Sequence, residues 1–186
     1  MQDIVFPSGN EADFIRMARL LGWSGLICVY SDKSQFSKDP FVKNALFVEP
    51  MRINKAQDLK VFSVCRGSRE AIERGASIAF DFESLEDKDK THFKESGLNQ
   101  VLCNLAREKN VRIGFSLFSI LSKSGKDRAV LLGKIMQNIM LCRKFDVTAK
   151  VASFAKSPLD MRSPSDLGSL FMQLGMSAKD VKFALL

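Results

Sequence analysis

An α/β fold, about seven parallel strands alternating with helices and wound toward a barrel, is what this 186-residue sequence predicts. Three observations carry that reading. Short apolar runs bounded by turn residues recur along the whole chain. Several, such as GLICVY at 25–30, lack the polar alternation of a half-exposed strand, which suits strands buried on both faces of a parallel sheet. Between them lie segments with apolar residues at helical spacing, and parallel β/α units are the economical way to fold such a string.

Taken in order, residues 4–6 (IVF) make the first strand, ended by Pro7. Residues 11–21 place Ala12, Ile15, Ala18 and Leu21 on one helical face, and Gly22 stops that helix. Residues 25–30 are the second strand and 45–49 the third, followed by a short helix or turn at 54–58. The fourth strand is 60–65 (KVFSVC). Ser68 is placed to cap a helix over 69–74, and Gly75 to end it. Residues 78–82 form the fifth strand, and the acidic, Lys-laced stretch 83–90 reads as a solvated loop.

A long helix is predicted over 98–109, then a sixth strand over 111–117. A Ser/Lys/Gly loop leads to a longer helix over 127–145, and 147–154 is the last strand. Two Ser-Pro steps follow; Pro164 suits a first helical turn, and residues 167–174 supply that helix with an apolar face. Seven strands fit an open doubly wound sheet or a barrel, and the count favours a barrel, irregular or incomplete, with one unit degenerate. With no linker, repeat or low-complexity tract, residues 1–186 are expected to form one domain.

Composition narrows the function. The hydrophobic fraction is 46% and the charged fraction 26%, values of an ordinary globular chain. Formal net charge is +7, and +6 of it falls between Lys123 and Arg162, where nine Lys or Arg meet only Asp127, Asp146 and Asp160. Charge gathered in folded-looking segments suggests a rigid basic surface for a polyanion, although a solvated basic face is the plain alternative. Cys28, Cys65, Cys103 and Cys142 are widely spaced in apolar stretches without a CxxC pair, so buried free thiols are expected. No apolar run is long enough to span a bilayer, and residues 1–7 lack the basic and apolar regions of a secretory signal. The expected location is therefore the cytoplasm, with no membrane partner.

Catalytic signatures are sparse. The one histidine, His92, sits in a charged loop. There is neither a GxSxG elbow nor a P-loop. Asp81 and Glu83 would share a direction if both lay on the fifth strand, a weak Mg²⁺ pair beside the simpler reading of a strand end entering an acidic loop. No metal or catalytic residue is assigned. Phe115 and Phe118 could stack on RNA bases, but most of the fifteen phenylalanines read as barrel core. The Met-bearing stretch 135–140 reads as packing.

Four blocks in the last part of the chain carry a resemblance: SGLNQVLCNLA at 96–106, NVRIGFS at 110–116, GKDRAVLLGKIMQNIMLCRKF at 125–145, and SPLDMRSPSDLGSLFMQLGM at 157–176. With DIVFP at 3–7 and LGWSGLICVYS at 21–31, they make the chain similar to archaeal ribonuclease P protein component 3, the family of the eukaryotic thirty-kilodalton subunit. The resemblance runs over essentially the whole chain. It implies a TIM-barrel-like fold akin to the polymerase and histidinol phosphatase domain, without the His and Asp clusters of the metal-dependent relatives. It also implies a protein subunit of the ribonucleoprotein endoribonuclease that removes the 5′ leader of precursor tRNA. The RNA would be the catalyst, Mg²⁺ would belong to that RNA, and this chain would bind no cofactor. The implied partners are the RNase P RNA, another small protein subunit in a heterodimer or heterotetramer, and precursor tRNA through the holoenzyme.

In a barrel, ligands meet the loops after the strands, here around Arg66-Gly67, 119–125 and 155–162. The candidate RNA-binding residues are Arg162 in the MRSP motif, Arg128 beside Gly125, Arg66, Arg143, Lys144, Lys123 and Lys126. Arg162 is weighed against a structural arginine pairing with Asp160 or Asp166, Arg128 likewise against a structural role, Arg143 and Lys144 against complementing a helix dipole, and Lys123 and Lys126 against a solvated loop. Two other functions compete: a barrel enzyme acting on a phosphorylated small molecule, and a protein-interaction scaffold.

Overall fold

The computed structural model describes residues 1–84 and 95–186. Seven strands form one sheet in sequence order, every neighbouring pair parallel. They are β1 (Asp3–Val5), β2 (Leu26–Tyr30), β3 (Val42–Phe47), β4 (Phe62–Arg66), β5 (Ile78–Phe80), β6 (Arg112–Ser116) and β7 (Ala149–Ala152). The helices are α1 (Glu11–Leu20), α2 (Ile53–Asp58), α3 (Arg69–Glu73), α4 (Gln100–Glu108), α5 (Leu117–Leu121), α6 (Gly125–Lys144), α7 (Pro164–Gln173) and α8 (Ala178–Ala184). The predicted parallel α/β barrel is thus present. Its degenerate unit is the β2–β3 connection, where only a 3-10 turn at Lys33–Gln35 replaces a helix.

Local chemistry sets the boundaries. Gly22 takes φ +83° after α1, and Trp23 N–H reaches back to the Ala18 carbonyl, a left-handed cap that needs no Cβ. The Ser68 side chain accepts from Ala71 N–H and caps α3, as the sequence predicts, and Ser163 caps α7 with Pro164 in its first turn. Two helices escape sequence reading. α5 starts where β6 ends, because the Ser116 hydroxyl caps Ser119 N–H instead of letting the strand run on. α8 opens with a reciprocal Ser177–Asp180 capping box. β3 begins three residues earlier than expected, since Asn44 is held by Ser37 at both its amide groups and still pairs with β2.

Strand parity divides the apolar residues into two cores. Val5, Leu26, Cys28, Leu46, Cys65, Ile113 and Val151 face the helices. Ile4, Ile27, Val29, Ala45, Val64, Ile78, Phe80, Ala152 and Phe154 fill the barrel. The four cysteines are buried free thiols, as expected. Burial pushes the Cys28 and Cys65 thiols up to about 12. No helix of the described residues is long and apolar enough to cross a membrane.

Closure between β7 and β1 rests on few contacts. One bridge joins Val5 to Ala155, where Phe6 N–H donates to the Ala155 carbonyl at 2.8 Å. The fully buried Asp3 does the rest: Oδ1 accepts from Ser153 N–H and Oδ2 from Ser153 Oγ, each at 2.6 Å. Lys150 Nζ donates to the Gln2 carbonyl at 2.9 Å. The barrel is therefore nearly closed, stitched by side chains along a seam where a backbone ladder is missing.

Candidate functional site

All seven strands reach one cavity of about 360 Å³ at or just past their C-terminal ends, through Phe6, Ser31, Phe47, Arg66, Asp81, Ser116 and Phe154 among others. This is the end of a parallel barrel where ligands bind. The floor is aromatic. Phe80 and Phe154 stack with centroids 4.4 Å apart, and Phe6 leans on Phe80 at 6.1 Å, on Phe154 at 6.4 Å and edge-on to Phe47 at 5.9 Å. Gly114 makes the stack possible, because a Cβ there would lie 2.7 Å from Phe80 Cβ and 3.0 Å from Phe154 Cζ. The walls are polar and basic, with Arg66, Lys123 and Lys156 beside Ser84, Ser119 and Ser122. Lys156 Nζ stands 4.9 Å from the Phe118 ring centroid, in cation–π range.

Among the described residues Asp81 is the one acidic residue lining this cavity. Its Oδ1 accepts from Ser84 Oγ at 2.8 Å and Ser119 Oγ at 3.0 Å. The pairing of Asp81 with Glu83 on one strand face is overturned. β5 stops at Phe80, Asp81 turns to φ +68°, and Glu83 lies in a 3-10 turn, so the period-two rule does not reach it. Glu83 is buried against α6 instead, taking a 2.6 Å hydrogen bond from Asn138 Nδ2, while Lys134 Nζ donates to its backbone carbonyl at 3.2 Å. Burial lifts the Glu83 carboxyl to about 7 against those hydrogen bonds. Among the described residues no three His, Cys, Asp or Glu gather as a metal site. His92 lies outside the described residues.

The candidate cations separate into three places. Arg66 is exposed at the tip of β4, and Lys123 is exposed on the cavity wall. Lys126 is exposed in the first turn of α6, and Arg128, partly buried, donates Nε to the Lys123 carbonyl at 2.7 Å, bracing that loop. Arg143 and Lys144 end α6 and so lie at the opposite end of the barrel, where β7 begins. Arg143 Nη1 points to the Gly175 carbonyl at 3.5 Å, and Lys144 Nζ sits 5.5 Å from the Phe145 centroid. Arg162 is on a third surface. Its guanidinium donates to the Leu159 and Met161 carbonyls at 3.0 and 2.7 Å, not to Asp160 or Asp166, and its own carbonyl accepts from Trp23 Nε1 ahead of β2. Neither Arg162 nor the α6 C-terminus touches the mouth.

Among the described residues, four surface ion pairs engage some of the cations in the first half of the chain. Arg16–Asp13, Lys55–Asp32, Arg69–Glu73 and Arg74–Glu70 are surface ion pairs, all before residue 75. Of the cations between Lys123 and Arg162, Lys134 and Lys150 are buried and bonded within the fold. The others stand at or near the surface. The sequence reading counted Lys156 in the charge but not as a site residue, and did not single out Phe6 or Phe47 among the phenylalanines it read mostly as core. The missed signal was strand parity: each lies in inward register at a strand's C-terminal end. Phe115 is fully buried core, whereas Phe118 is half-buried on the cavity wall. Ile135 and Ile139 pack inward as expected, but Met136 and Met140 are exposed.

Comparison with known proteins gives the same family by two routes. The family model of RNase P subunit p30 matches residues 87–186. Ribonuclease P protein component 3 of Methanosarcina barkeri is 36% identical over 185 residues, covering 91% of this chain and 77% of that protein. Its counterpart from Methanosarcina acetivorans is 28% identical with the same coverage. Among solved structures, a chain in a cryo-EM structure of archaeal ribonuclease P with mature tRNA superposes with a TM-score of 0.77 at 23% identity, covering 99% of this chain and 86% of that one. An amidohydrolase matches with a TM-score of 0.50 at 14% identity over 95% of this chain and 44% of its own, a likeness of fold.

Proposed function

Because this chain belongs to the RNase P subunit p30 family, we propose that it serves as an RNA-binding, non-catalytic protein subunit of ribonuclease P. The observation that carries this reading is the set of exposed cations that the fold leaves at its surface between Lys123 and Arg162, a stretch in which nine Lys or Arg meet three acidic residues. Such cations hold RNA by its phosphates. Each contact releases counterions, so affinity falls with salt in proportion to the phosphates neutralised. Structured RNA is met largely through shape and backbone, which suits Lys and Arg presented on a rigid barrel.

Within this reading Arg66, Lys123 and Lys126 meet RNA at the mouth, with Arg128 as a brace for the Lys123 loop. Arg143 and Lys144 serve a separate contact at the far end, and Arg162 a third on the flank. The partners are the RNase P RNA, precursor tRNA through the holoenzyme, and a second small protein subunit in a heterodimer or heterotetramer. Mg²⁺ belongs to the RNA, and the setting is cytoplasmic. The test is precursor-tRNA cleavage by the matching RNA and small proteins at moderate Mg²⁺, with and without this chain, beside the chain alone. Activity that needs the RNA and rises with the chain supports the reading. Cleavage by the chain alone, or no effect in any mixture, overturns it.

A further inference from the structure

We propose that the cavity at the mouth of the barrel is a binding site for a single nucleotide unit, a planar base with its phosphate. The pocket combines three features that rarely meet by chance. Its volume of about 360 Å³ is near the lower end of small-ligand sites, about 300–1,000 Å³, which fits one ring system and one anionic group but not a folded polymer. Its floor and one wall are phenylalanines, with Phe47 38% exposed and Phe118 half-buried, so aromatic surface is open to the cavity and not spent on the barrel core. A base is the flat, π-faced group that such surface takes. Its rim carries Arg66, Lys123 and Lys156, and none of them donates a side-chain hydrogen bond to another described residue, which leaves them for a phosphate.

Asp81 completes the match. Both of its side-chain hydrogen bonds end on Oδ1, held by Ser84 and Ser119, while Oδ2 accepts none among the described residues. A lone carboxylate acceptor on a basic wall discourages a plain anion and suits the N–H edge of a base or a ribose hydroxyl. A sugar phosphate would leave the rings unused, and an acyl chain would leave Asp81 unpaired. The nucleotide is either free or an unpaired residue of an RNA strand. The site shares Arg66 and Lys123 with the phosphate contacts proposed above, but it rests on the cavity, its rings and Asp81, and so stands whatever the outcome of the cleavage assay.

The experiment is titration of the full chain with AMP, GMP, CMP and UMP, beside ribose 5-phosphate and inorganic phosphate, read by calorimetry and by saturation transfer to the base protons. Nucleotides should bind roughly ten- to a hundredfold more tightly than the two base-free anions, the span expected for one base stacked on aromatic side chains. Phe47→Ala and Arg66→Ala each alter a surface side chain, so their melting temperatures should stay near the parent's while nucleotide affinity falls about tenfold or more. Equal binding of phosphate and nucleotide, binding unchanged in both variants, or no nucleotide bound at millimolar concentration would overturn the proposal. A competition arm separates the two sources. Displacement of the mononucleotide by RNase P RNA makes the occupant an RNA residue. Simultaneous binding of both makes it a free nucleotide.

Discussion

At the base of the barrel Lys43, Arg112 and Lys150 hold the inward register near the starts of β3, β6 and β7; at the mouth Arg66, Lys123 and Lys156 surround the aromatic cavity. The same kind of residue serves opposite ends in different ways. At the base, Lys150 is 4% exposed, donates to the Gln2 carbonyl and sits in the field of Asp3, while Arg112 lies 5.8 Å over the Phe62 ring. Burial, with Arg112 and Lys43 nearby, pushes Lys150 down to about 8. At the mouth none of the three cations donates a side-chain hydrogen bond to another described residue, and apart from Lys156 beside the Phe118 ring the charges face solvent and a pocket. Positive charge in a sequence therefore does not locate an interface until the cations that the fold itself uses are subtracted.

Breaking the seam at the base should cost the most. Asp3→Ala strips Ser153 N–H and Ser153 Oγ of their buried acceptor and leaves Lys150 without the nearby negative charge. Removing one side of a buried charged network typically costs about 3–5 kcal/mol. Since β1 and β7 share only the Val5–Ala155 bridge, the loss should open the barrel. Chemical denaturation should register a drop of that size, and hydrogen exchange should quicken first in β1. A loss below about 1 kcal/mol, on the scale of a single ordinary hydrogen bond, would mean that the seam does not hold the barrel shut.

The floor of the mouth comes next. Gly114→Ala puts a methyl 2.7 Å from Phe80 Cβ, a rigid neighbour, so the Phe80–Phe154 stack must move. Overpacking of this kind costs about 1–3 kcal/mol. Thermal melts should record the loss, and the cavity should change shape with it.

A pH series sharpens the comparison. Burial lifts Asp3 from 3.8 to about 6, despite the Ser153 and Ile4 donors and nearby Lys150. It lifts Glu83 from 4.5 to about 7, with Asp81 reinforcing the rise and Asn138 and Lys134 opposing it. Both groups keep their protons longer in the folded chain than in the unfolded one. Their contribution is thus fully present below the unfolded values and is lost as pH rises through about 6 and 7. Lys150, with its value near 8, stays protonated across that window and does not offset them. Stability should be higher at pH 5 than at pH 7, and Glu83→Gln should flatten the slope. An unchanged slope in that variant would take Glu83 out of the account.

Much of this architecture was legible from local chemistry. Gly22, Ser68 and Pro164 mark helix ends because caps are written in adjacent residues. The apolar runs mark strands because burial on both faces leaves no alternation. The candidate site was less legible, since its members come from all seven strand ends and meet only when the sheet curls. Arg66 and Lys123 were found through loop position. Lys156 lies in the 155–162 loop but was passed over for Arg162, and Phe47 and Phe6 were not singled out, because a phenylalanine near a strand end looks the same whether it faces solvent, helix or mouth. The Asp81–Glu83 pair failed for a related reason: one backbone turn at φ +68° left Asp81 on the cavity wall and sent Glu83 into the packing against α6.

The smallest effect on stability should accompany the clearest effect on binding. Arg66 and Lys123 are exposed, and neither side chain holds another part of the fold by a hydrogen bond. Their alanine variants should stay within about 0.5 kcal/mol of the parent in denaturant. Each lost phosphate contact should lower the slope of log affinity for RNase P RNA against log salt by about one. Lys150 is the control for the other end: Lys150→Met removes equal charge but should act on folding, through the bond to Gln2 and the proximity of Asp3. If Lys150→Met reduced the salt slope as much as Lys123→Ala while leaving the melt unchanged, charge alone would govern RNA affinity and the distinction between the two ends would fail. If only the mouth variants change the slope, it is the geometry of unpartnered cations, and not their number, that makes the RNA surface.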